Sequence, residues 1–366
     1  MSNKTTVATI FALNYYSKGI TMLESVNKFN PDIELNILIS DKVENKEKFL
    51  NDALIKKLNV KVTFLEDLEL RDLAFKYDMV EFCTCVKPKY LLMLADEYDK
   101  IIYLDPDIMV YAVLEEIQNL LDVHNIVLTP HISGTIEEGI SPATDFLRNG
   151  IYNLGFIAVK NADVVKIFLK WWHKKLMNYC FCDSRKSLAW DQKWVDFVPA
   201  LFDGVYVLRS PNYNVAFWNI QGRYISEKNS TYYVNNDYPL VFVHYSHFNI
   251  NSPNYLFYIN DGLNLLIEDR RDLSKITSEY VSALRSNTNE SYAKKKYRYN
   301  YYDNGEIVKE AHRKLYNHLD TETEEYNEPF NTKRQIHSTS WQRCLRISMC
   351  QHCNKGERKY EVFGKS

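Results

Sequence analysis

The sequence contains no run of about twenty apolar residues, the length that a membrane-spanning helix requires. Its first residues lack the small-residue cleavage site of a secretion signal, and Asn14 interrupts their apolar run. The net charge is only −2, so no global charge favours nucleic acid as a partner. These absences predict a cytoplasmic protein that neither spans a membrane nor binds nucleic acid.

Cysteine is also sparse. Seven cysteines are an odd number, and their scatter is typical of reduced thiols rather than of a disulfide framework. Near the C-terminus, four residues are of types that can ligate zinc: Cys344, Cys350, His352 and Cys353. Only one Cys-x-x-Cys pair is present and His352 lies inside it, so we favour unligated thiols.

What is present is the composition of a soluble globular protein, with 46% hydrophobic and 25% charged residues. Strand-like and helix-like segments alternate over the first two-thirds of the chain. Residues 7–13 and 100–104 are continuous apolar runs typical of buried strands, whereas residues 33–39 alternate in polarity. This order predicts an α/β protein whose sheet is covered by helices on both faces.

Helical patterns are found at residues 87–94, 163–177 and 306–319. The character of the chain changes near residue 270, which predicts a main domain, 1–270, and a helical C-terminal extension, 271–366. From residue 331 onward there are eight Lys or Arg against two Glu. We interpret this basic tail either as a solvated, disordered end or as a peripheral contact with an anionic membrane.

Asp105-Pro106-Asp107 follows the buried strand at 100–104 and is the strongest chemical signal in the sequence. On an extended segment, alternate side chains share a face, so both aspartates can reach one ion. Mg²⁺ and Mn²⁺ prefer such carboxylate oxygens. The alternative is an ordinary surface turn, but acidic pairs that end a buried strand are unusual unless they are paired or bind an ion. His244, which ends another predicted strand, favours the metal interpretation.

The segment from Lys100 to Ile108 resembles the D-x-D region of retaining glycosyltransferases of the GT-A fold. The chain is similar to glycosyltransferase family 8 and, more closely, to bacterial relatives used in surface-polysaccharide synthesis. Four further segments match in order within residues 5–255. The resemblance implies a GT-A mixed sheet flanked by helices, and a metal site formed by Asp105, Asp107 and His244 that holds Mn²⁺ or Mg²⁺.

The resemblance also implies which residues contact a nucleotide-sugar donor. The donor we expect is a UDP-sugar. These donor-binding residues are Leu13, Asn14, Tyr15, Lys87, Asp105, Asn153 and Gly155. Asp191 is expected to hold sugar hydroxyls, and Gln192 to lie near the anomeric carbon. His247 and Ile250 depart from the family pattern, which has Gly and Lys at these positions. With the diphosphate-contacting lysine missing, His247 is a candidate substitute in donor binding.

The implied reaction is metal-dependent transfer of a sugar, with retention of configuration, to the hydroxyl of a glycan, a lipid-linked acceptor or a protein. We favour attack by the acceptor on the face that the diphosphate leaves, over a covalent intermediate on Asp191. Residues 131–149 form a candidate acceptor loop. Two other functions stay open: a catalytically inactive nucleotide-sugar-binding module, and a sugar nucleotidyltransferase. The latter would need a glycine-rich loop after the first strand, which residues 13–19 do not provide.

Structural roles compete with several of these assignments. Asp191 precedes a predicted helix and could cap it, and Asn153 could satisfy a strand edge. His244 could be a buried core histidine, while Lys87 could be solvated.

Overall fold

A computed structural model describes residues 4–317, apart from residues 69, 72, 135–142 and 259–263, together with residues 329–331. The C-terminal cysteines and nearly all of the basic tail lie outside these described residues, as does part of the candidate acceptor loop. In the described part of the chain, no helix is long and apolar enough to cross a membrane.

The strands of the described residues are β1 Thr5–Phe11, β2 Glu34–Ile39, β3 Lys61–Phe64, β4 Lys100–Leu104, β5 Ile108–Val110, β6 Ile126–Pro130, β7 Tyr152–Lys160, β8 Cys182–Asp183, β9 Leu188–Ala189, β10 Val205–Val207, β11 Ile225–Lys228, β12 Thr231–Val234, β13 Tyr238–Pro239, β14 Phe242–His244, β15 Tyr255–Tyr258 and β16 Asn264–Leu266. The α-helices are α1 Tyr16–Phe29, α2 Lys46–Leu50, α3 Ala53–Lys57, α4 Leu73–Lys76, α5 Met79–Cys85, α6 Lys87–Leu94, α7 Glu115–Val123, α8 Ala143–Asn149, α9 Asp163–Tyr179, α10 Gln192–Val195, α11 Val198–Leu201, α12 Ser274–Ser286, α13 Glu290–Ala293 and α14 Glu310–Tyr316.

A seven-stranded central sheet organises the molecule, in the order β10-β6-β7-β4-β1-β2-β3. β7 runs antiparallel to β4 and β6, and the other neighbours are parallel. All seven residues of β1 are buried, as its continuous apolar run predicts. Buried residues of the sheet belong to two large hydrophobic clusters that also include residues from the flanking helices. The predicted mixed α/β sheet flanked by helices is therefore confirmed.

Most element predictions agree with the structure, and the differences are local. The helix predicted at 87–94 is α6, while the first strand ends at Phe11 because Leu13 begins a short 3-10 turn. The helix predicted at 306–319 is wrong in its first turn. There the chain forms a turn in which Tyr302 N–H donates to the Glu306 carbonyl, so α14 begins only at Glu310.

Residues beyond 270 pack closely on the sheet and its helices. Tyr280 of α12 stacks on Tyr245 with ring centroids 3.9 Å apart. The buried Arg313 guanidinium donates to the carbonyl groups of Ala74 and Phe75 at 2.7 and 2.8 Å, at the end of α4. These contacts join the residues before position 270 to those after it. The domain boundary at residue 270 stays a prediction.

Candidate active site

Backbone hydrogen bonds to two neighbouring segments hold the Asp105-Pro106-Asp107 turn. Asp105 N–H donates to the Gly155 carbonyl of β7 at 2.8 Å, so the turn begins where β4 leaves the sheet. The carbonyl of Asp107 accepts from Tyr245 N–H, also at 2.8 Å. The two carboxylates are therefore positioned by main chain from separate parts of the sequence.

His244 reaches this turn through a small antiparallel pair. β5 follows the turn directly and pairs with β14 so that Ile108 lies opposite His244. The imidazole is buried, and its Nε2 atom lies 3.1 Å from Asp107 Oδ1. One ligand atom each from Asp105, Asp107 and His244 all lie within 4.8 Å of one another. The structure thus brings together the three residues that the sequence resemblance named as metal ligands.

Gly155 makes room for His244. A Cβ atom at Gly155 would lie 2.3 Å from His244 Cε1 and 2.9 Å from Asn153 Oδ1, both too close for any side chain. The glycine of the Asn-x-Gly segment is therefore required by the approach of the imidazole. Its predicted role in donor binding is a separate matter that stays a prediction.

The hydrogen bonds of Asn153 determine which nitrogen of His244 carries a proton. Asn153 Oδ1 accepts from Gly155 N–H at 3.2 Å and from Asn214 Nδ2 at 3.0 Å, so this atom is the amide oxygen. The same oxygen lies 3.2 Å from His244 Nδ1, which must then be the protonated nitrogen. Nε2 is left facing Asp107, where it can donate to the carboxylate when protonated or offer its lone pair to a cation once that proton is lost. Metal-binding histidines are oriented in this way, so these residues fit a divalent cation.

A second layer of polar side chains lies behind Asn153, and the sequence analysis missed it. Asn219 Nδ2 donates to the carbonyls of His131 and Asn214 at 3.0 and 2.9 Å. His131 Nε2 lies 3.3 Å from Asn153 Nδ2, and burial lowers the pKa of His131 to about 4, so the ring is neutral. One signal was available in the sequence: Asn214 and Asn219 interrupt an otherwise apolar and aromatic stretch, which predicts buried amides with specific partners.

Charge near the turn keeps Asp107 ionised. Burial alone would raise the pKa of this carboxyl group, but the His244 imidazole and, less strongly, the Lys18 ammonium outweigh it and hold the pKa well below its ordinary value. Lys18 Nζ lies 4.0 Å from Asp107 Oδ2 and 4.7 Å from the centre of the Tyr15 ring. Lys18 is therefore a further positive group beside the site, unnamed by the sequence motifs.

Lys87 and Asp191 form a buried ion pair beside the turn. Lys87 Nζ lies 2.7 Å from Asp191 Oδ2, 2.7 Å from the Leu154 carbonyl and 4.0 Å from Asp105 Oδ1. Burial would lower the pKa of Lys87, but the Asp191 and Asp105 carboxylates outweigh it and raise the pKa. A solvated Lys87 is thus wrong, since its side chain is 1% exposed. The capping role of Asp191 is also wrong, because its carboxylate makes no hydrogen bond to the start of α10.

The remaining predicted residues surround the turn less tightly. Leu13 is buried, and the buried Asn14 Oδ1 atom makes no hydrogen bond. Burial, followed by the charge of Asp107, raises the pKa of Tyr15 to about 12. Gln192 Nε2 donates to the Asn149 carbonyl at 2.9 Å, at the end of α8. His247 is exposed with a left-handed backbone, φ 59°, and is not part of the metal cluster.

No model of a protein family matches the sequence. Two uncharacterised proteins of Bacillus subtilis (strain 168) are similar to it. YfnF is 26% identical over 260 residues, covering 69% of this chain and 84% of the relative, and YfnD is 24% identical over 251 residues, covering 66% and 78%.

Among solved structures, the galactosyltransferase LgtC in complex with donor and acceptor sugar analogues is 16% identical, with a TM-score of 0.48 over 78% of this chain and 98% of that chain. The glycosyltransferase GlyE of Streptococcus pneumoniae TIGR4 is 14% identical, with a TM-score of 0.45 over 81% and 66%. At these values the comparisons assign no family to the chain.

Proposed function

We propose that the chain is a divalent-metal-dependent glycosyltransferase that moves a sugar from a nucleotide-diphosphate donor to a hydroxyl acceptor. The observation that carries this proposal is the convergence of Asp105, Asp107 and His244 at the carboxyl edge of a mostly parallel sheet. Ligands bind α/β sheets at this edge. Two carboxylates and an oriented imidazole suit Mn²⁺ or Mg²⁺, which would neutralise charge on a departing diphosphate.

The other residues have separate tasks in this proposal. Asn14 and Tyr15 bind the nucleotide, and the unpaired Asn14 Oδ1 is available to accept a hydrogen bond from it. Lys18 replaces the positive charge that the family has near the diphosphate and that Ile250 cannot supply. Lys87 holds the Asp191 carboxylate beside Asp105, where Asp191 accepts hydrogen bonds from sugar hydroxyls.

Retention of configuration is part of the proposal. Asp191 is a poor nucleophile because its carboxylate is buried and already bonded to Lys87. Attack by the acceptor on the face from which the diphosphate departs needs no protein nucleophile and relies on positioning and electrostatics. Gln192 follows Asp191 in the chain and is half-buried. In the proposal its neutral amide lies near the anomeric carbon. UDP-sugars as donors, and surface polysaccharide or another glycoconjugate as acceptor, complete the proposal.

Release of nucleoside diphosphate from a panel of nucleotide sugars, with Mn²⁺ present, tests the function. Slow hydrolysis of one donor that is lost in Asp107→Ala and unchanged in Asp203→Ala, an exposed aspartate outside the site, would support it. The rival is a module that binds donor without turning it over. Calorimetric binding of a donor with no release of diphosphate, with or without candidate acceptors, would favour that rival. Absence of both binding and turnover for every donor would contradict the proposal.

A further inference from the structure

Exposed apolar side chains are concentrated in one stretch of the sequence. Of the fourteen large hydrophobic side chains that are exposed in the described residues, seven lie between residues 147 and 201. They are Leu147, Ile151, Ile167, Met177, Tyr179, Phe197 and Leu201. Single exposed hydrophobic residues are ordinary, but exposed hydrophobic residues that share one surface indicate a site for a partner or a membrane.

Half-buried aromatic rings connect the outer face of α9 with α10 and α11. The Trp171 ring lies 6.3 Å from Trp194 and 5.7 Å from Phe202, measured between ring centres. From Trp194 the chain continues directly to Phe197 and Leu201, where Phe197 N–H donates to the Trp194 carbonyl. We call these residues, with Ile167, the α9–α11 surface. Ring contacts join its α9 part to its α10–α11 part, and we treat the two as one apolar strip.

Positive charge lines this strip. Ile167, Lys170, Trp171 and Lys174 occupy positions i, i+3, i+4 and i+7 of α9, so they share one face of the helix. Lys170 and Lys174 are exposed, and among the described residues neither takes part in an ion pair. Asp163, in the first turn, is the one acidic residue of this helix. The outer face of α9 therefore combines unpaired lysines with exposed apolar side chains.

We infer that the α9–α11 surface binds the anionic face of a phospholipid membrane. Interfacial surfaces of this kind place aromatic and aliphatic side chains at the headgroup level and lysines against anionic lipid. Nucleic acid would use Lys170 and Lys174 but would leave Phe197 and Leu201, which are 55% and 56% exposed, in water. A membrane accounts for the charge and the apolar side chains together.

The helices that carry this surface also contact the candidate active site. Trp172, on the inner side of α9, donates through Nε1 to the Asp191 carbonyl at 3.1 Å, and Gln192 begins α10. A membrane bound to the α9–α11 surface would therefore lie against the helices that hold Asp191 and Gln192. A lipid-linked acceptor would then reach the site without leaving the membrane, a consequence that rests on the proposed function.

Co-sedimentation of the full chain with vesicles tests the inference. Phosphatidylcholine vesicles are compared with vesicles that also contain phosphatidylglycerol. Binding is expected only to the latter, and it should weaken roughly ten-fold or more in Lys170→Glu/Lys174→Glu and in Phe197→Ser/Leu201→Ser. Two matched controls lie elsewhere: Lys48→Glu/Lys56→Glu on α2 and α3, and the exposed pair Val113→Ser/Val123→Ser.

Several results would overturn the inference. One is that the natural chain fails to bind anionic vesicles. Another is that both surface variants bind these vesicles as well as the natural chain does. A third is that the matched controls lose as much vesicle binding as the surface variants. Capture of a protein or of nucleic acid through the same residues, without vesicle binding, would also overturn it. Thermal unfolding shows that each variant is folded. Hydrolysis of a donor in solution, which these variants should retain, separates failure of the membrane contact from failure of the proposed function.

Discussion

The two ends of the central sheet use the same kinds of charged residue in opposite ways. At the amino end of the parallel strands, Lys4 and Lys61 face Glu34 and Glu97 around the ring of Tyr98. Each charge there is exposed by a third or more and has opposite charges beside it. Hydrogen bonding from Lys61 lowers the pKa of Glu34 to about 2, despite partial burial.

At the carboxyl end, three carboxylates converge with less positive charge. Among the residues that the structure describes, only Lys87, Lys18 and the imidazole of His244 lie within about ion-pair distance of Asp105, Asp107 or Asp191. Lys87 and Asp191 are almost fully buried, whereas the amino-end charges are open to solvent. Opposite charges in equal number, as at the amino end, stabilise the fold. Carboxylates that outnumber the ammonium groups near them, as at the carboxyl end, indicate a site for a cation.

The largest effect is expected at the unbalanced cluster. Asp107→Asn should lower metal-dependent turnover by about 10³-fold, because a bound cation contributes several kcal/mol of charge stabilisation. The melting temperature should fall modestly, since the charge of Asp107 is stabilised in the folded protein by His244 and Lys18, whereas asparagine keeps the shape of the side chain. Donor hydrolysis and thermal unfolding are measured on one preparation. A large fall in melting temperature with activity retained would show that the cluster is structural.

The next largest effect is expected at the buried pair. Lys87→Met should reduce the free energy of unfolding by about 3–5 kcal/mol, because Asp191 is left as an unpaired buried charge. Urea unfolding measures the loss. The double variant Lys87→Met/Asp191→Leu should recover much of it, because no charge then stays buried. If the single and double variants were equally unstable, lost packing rather than charge would explain the effect.

Burial of His131 at the carboxyl end of the sheet predicts a dependence of stability on pH. The pKa of His131 is lowered from 6.5 to about 4, so between these pH values the unfolded chain binds a proton at His131 that the folded protein does not. Stability is therefore lost as the pH falls from about 6.5 to 4, by at most about 3.4 kcal/mol. Urea unfolding across this range should show a flatter pH profile in His131→Asn. An unchanged slope would assign the dependence to other groups.

A smaller effect is expected from the second layer behind His244. Asn214→Ala removes a donor that holds the Asn153 oxygen toward His244, so Mn²⁺ should bind about 10–100-fold more weakly. Calorimetry with Mn²⁺ alone measures this without any substrate. Thr129→Val, which removes the other partner of the Asn214 amide, is the matched control and should have less effect. Equal affinity in Asn214→Ala would separate this layer from the metal site.

The smallest effect is expected at the amino end. Lys61→Met should cost about 1 kcal/mol or less, because exposed ion pairs are weak and are screened by salt. Donor hydrolysis should be unaffected. Urea unfolding at low and high salt measures the cost, which should shrink as salt rises. A loss comparable to that of Lys87→Met would remove the contrast between the two ends.

Much of the fold was predictable because its signals are local. The apolar run of β1, the alternation of β2 and the position of Asp105 and Asp107 after β4 each depend on residues close in sequence. The tail beyond residue 331 and its cysteines lie outside the described residues, so their roles stay predictions. Likewise, the donor contacts assigned by resemblance stay predictions, because no contact in the protein itself tests them.

The sequence by itself determined the alternating strands and helices, the mixed sheet and the edge at which the acidic pair lies. Only the tertiary structure decided how that pair is completed. Pairing of β5 with β14 brings His244 beside Asp107, 137 positions earlier in the chain, and the missing Cβ of Gly155 leaves space for the imidazole. Lys87 likewise meets Asp191 across 104 positions. Hydrophobic periodicity specifies which face a residue occupies, whereas such partners depend on how distant segments pack, which no local pattern records.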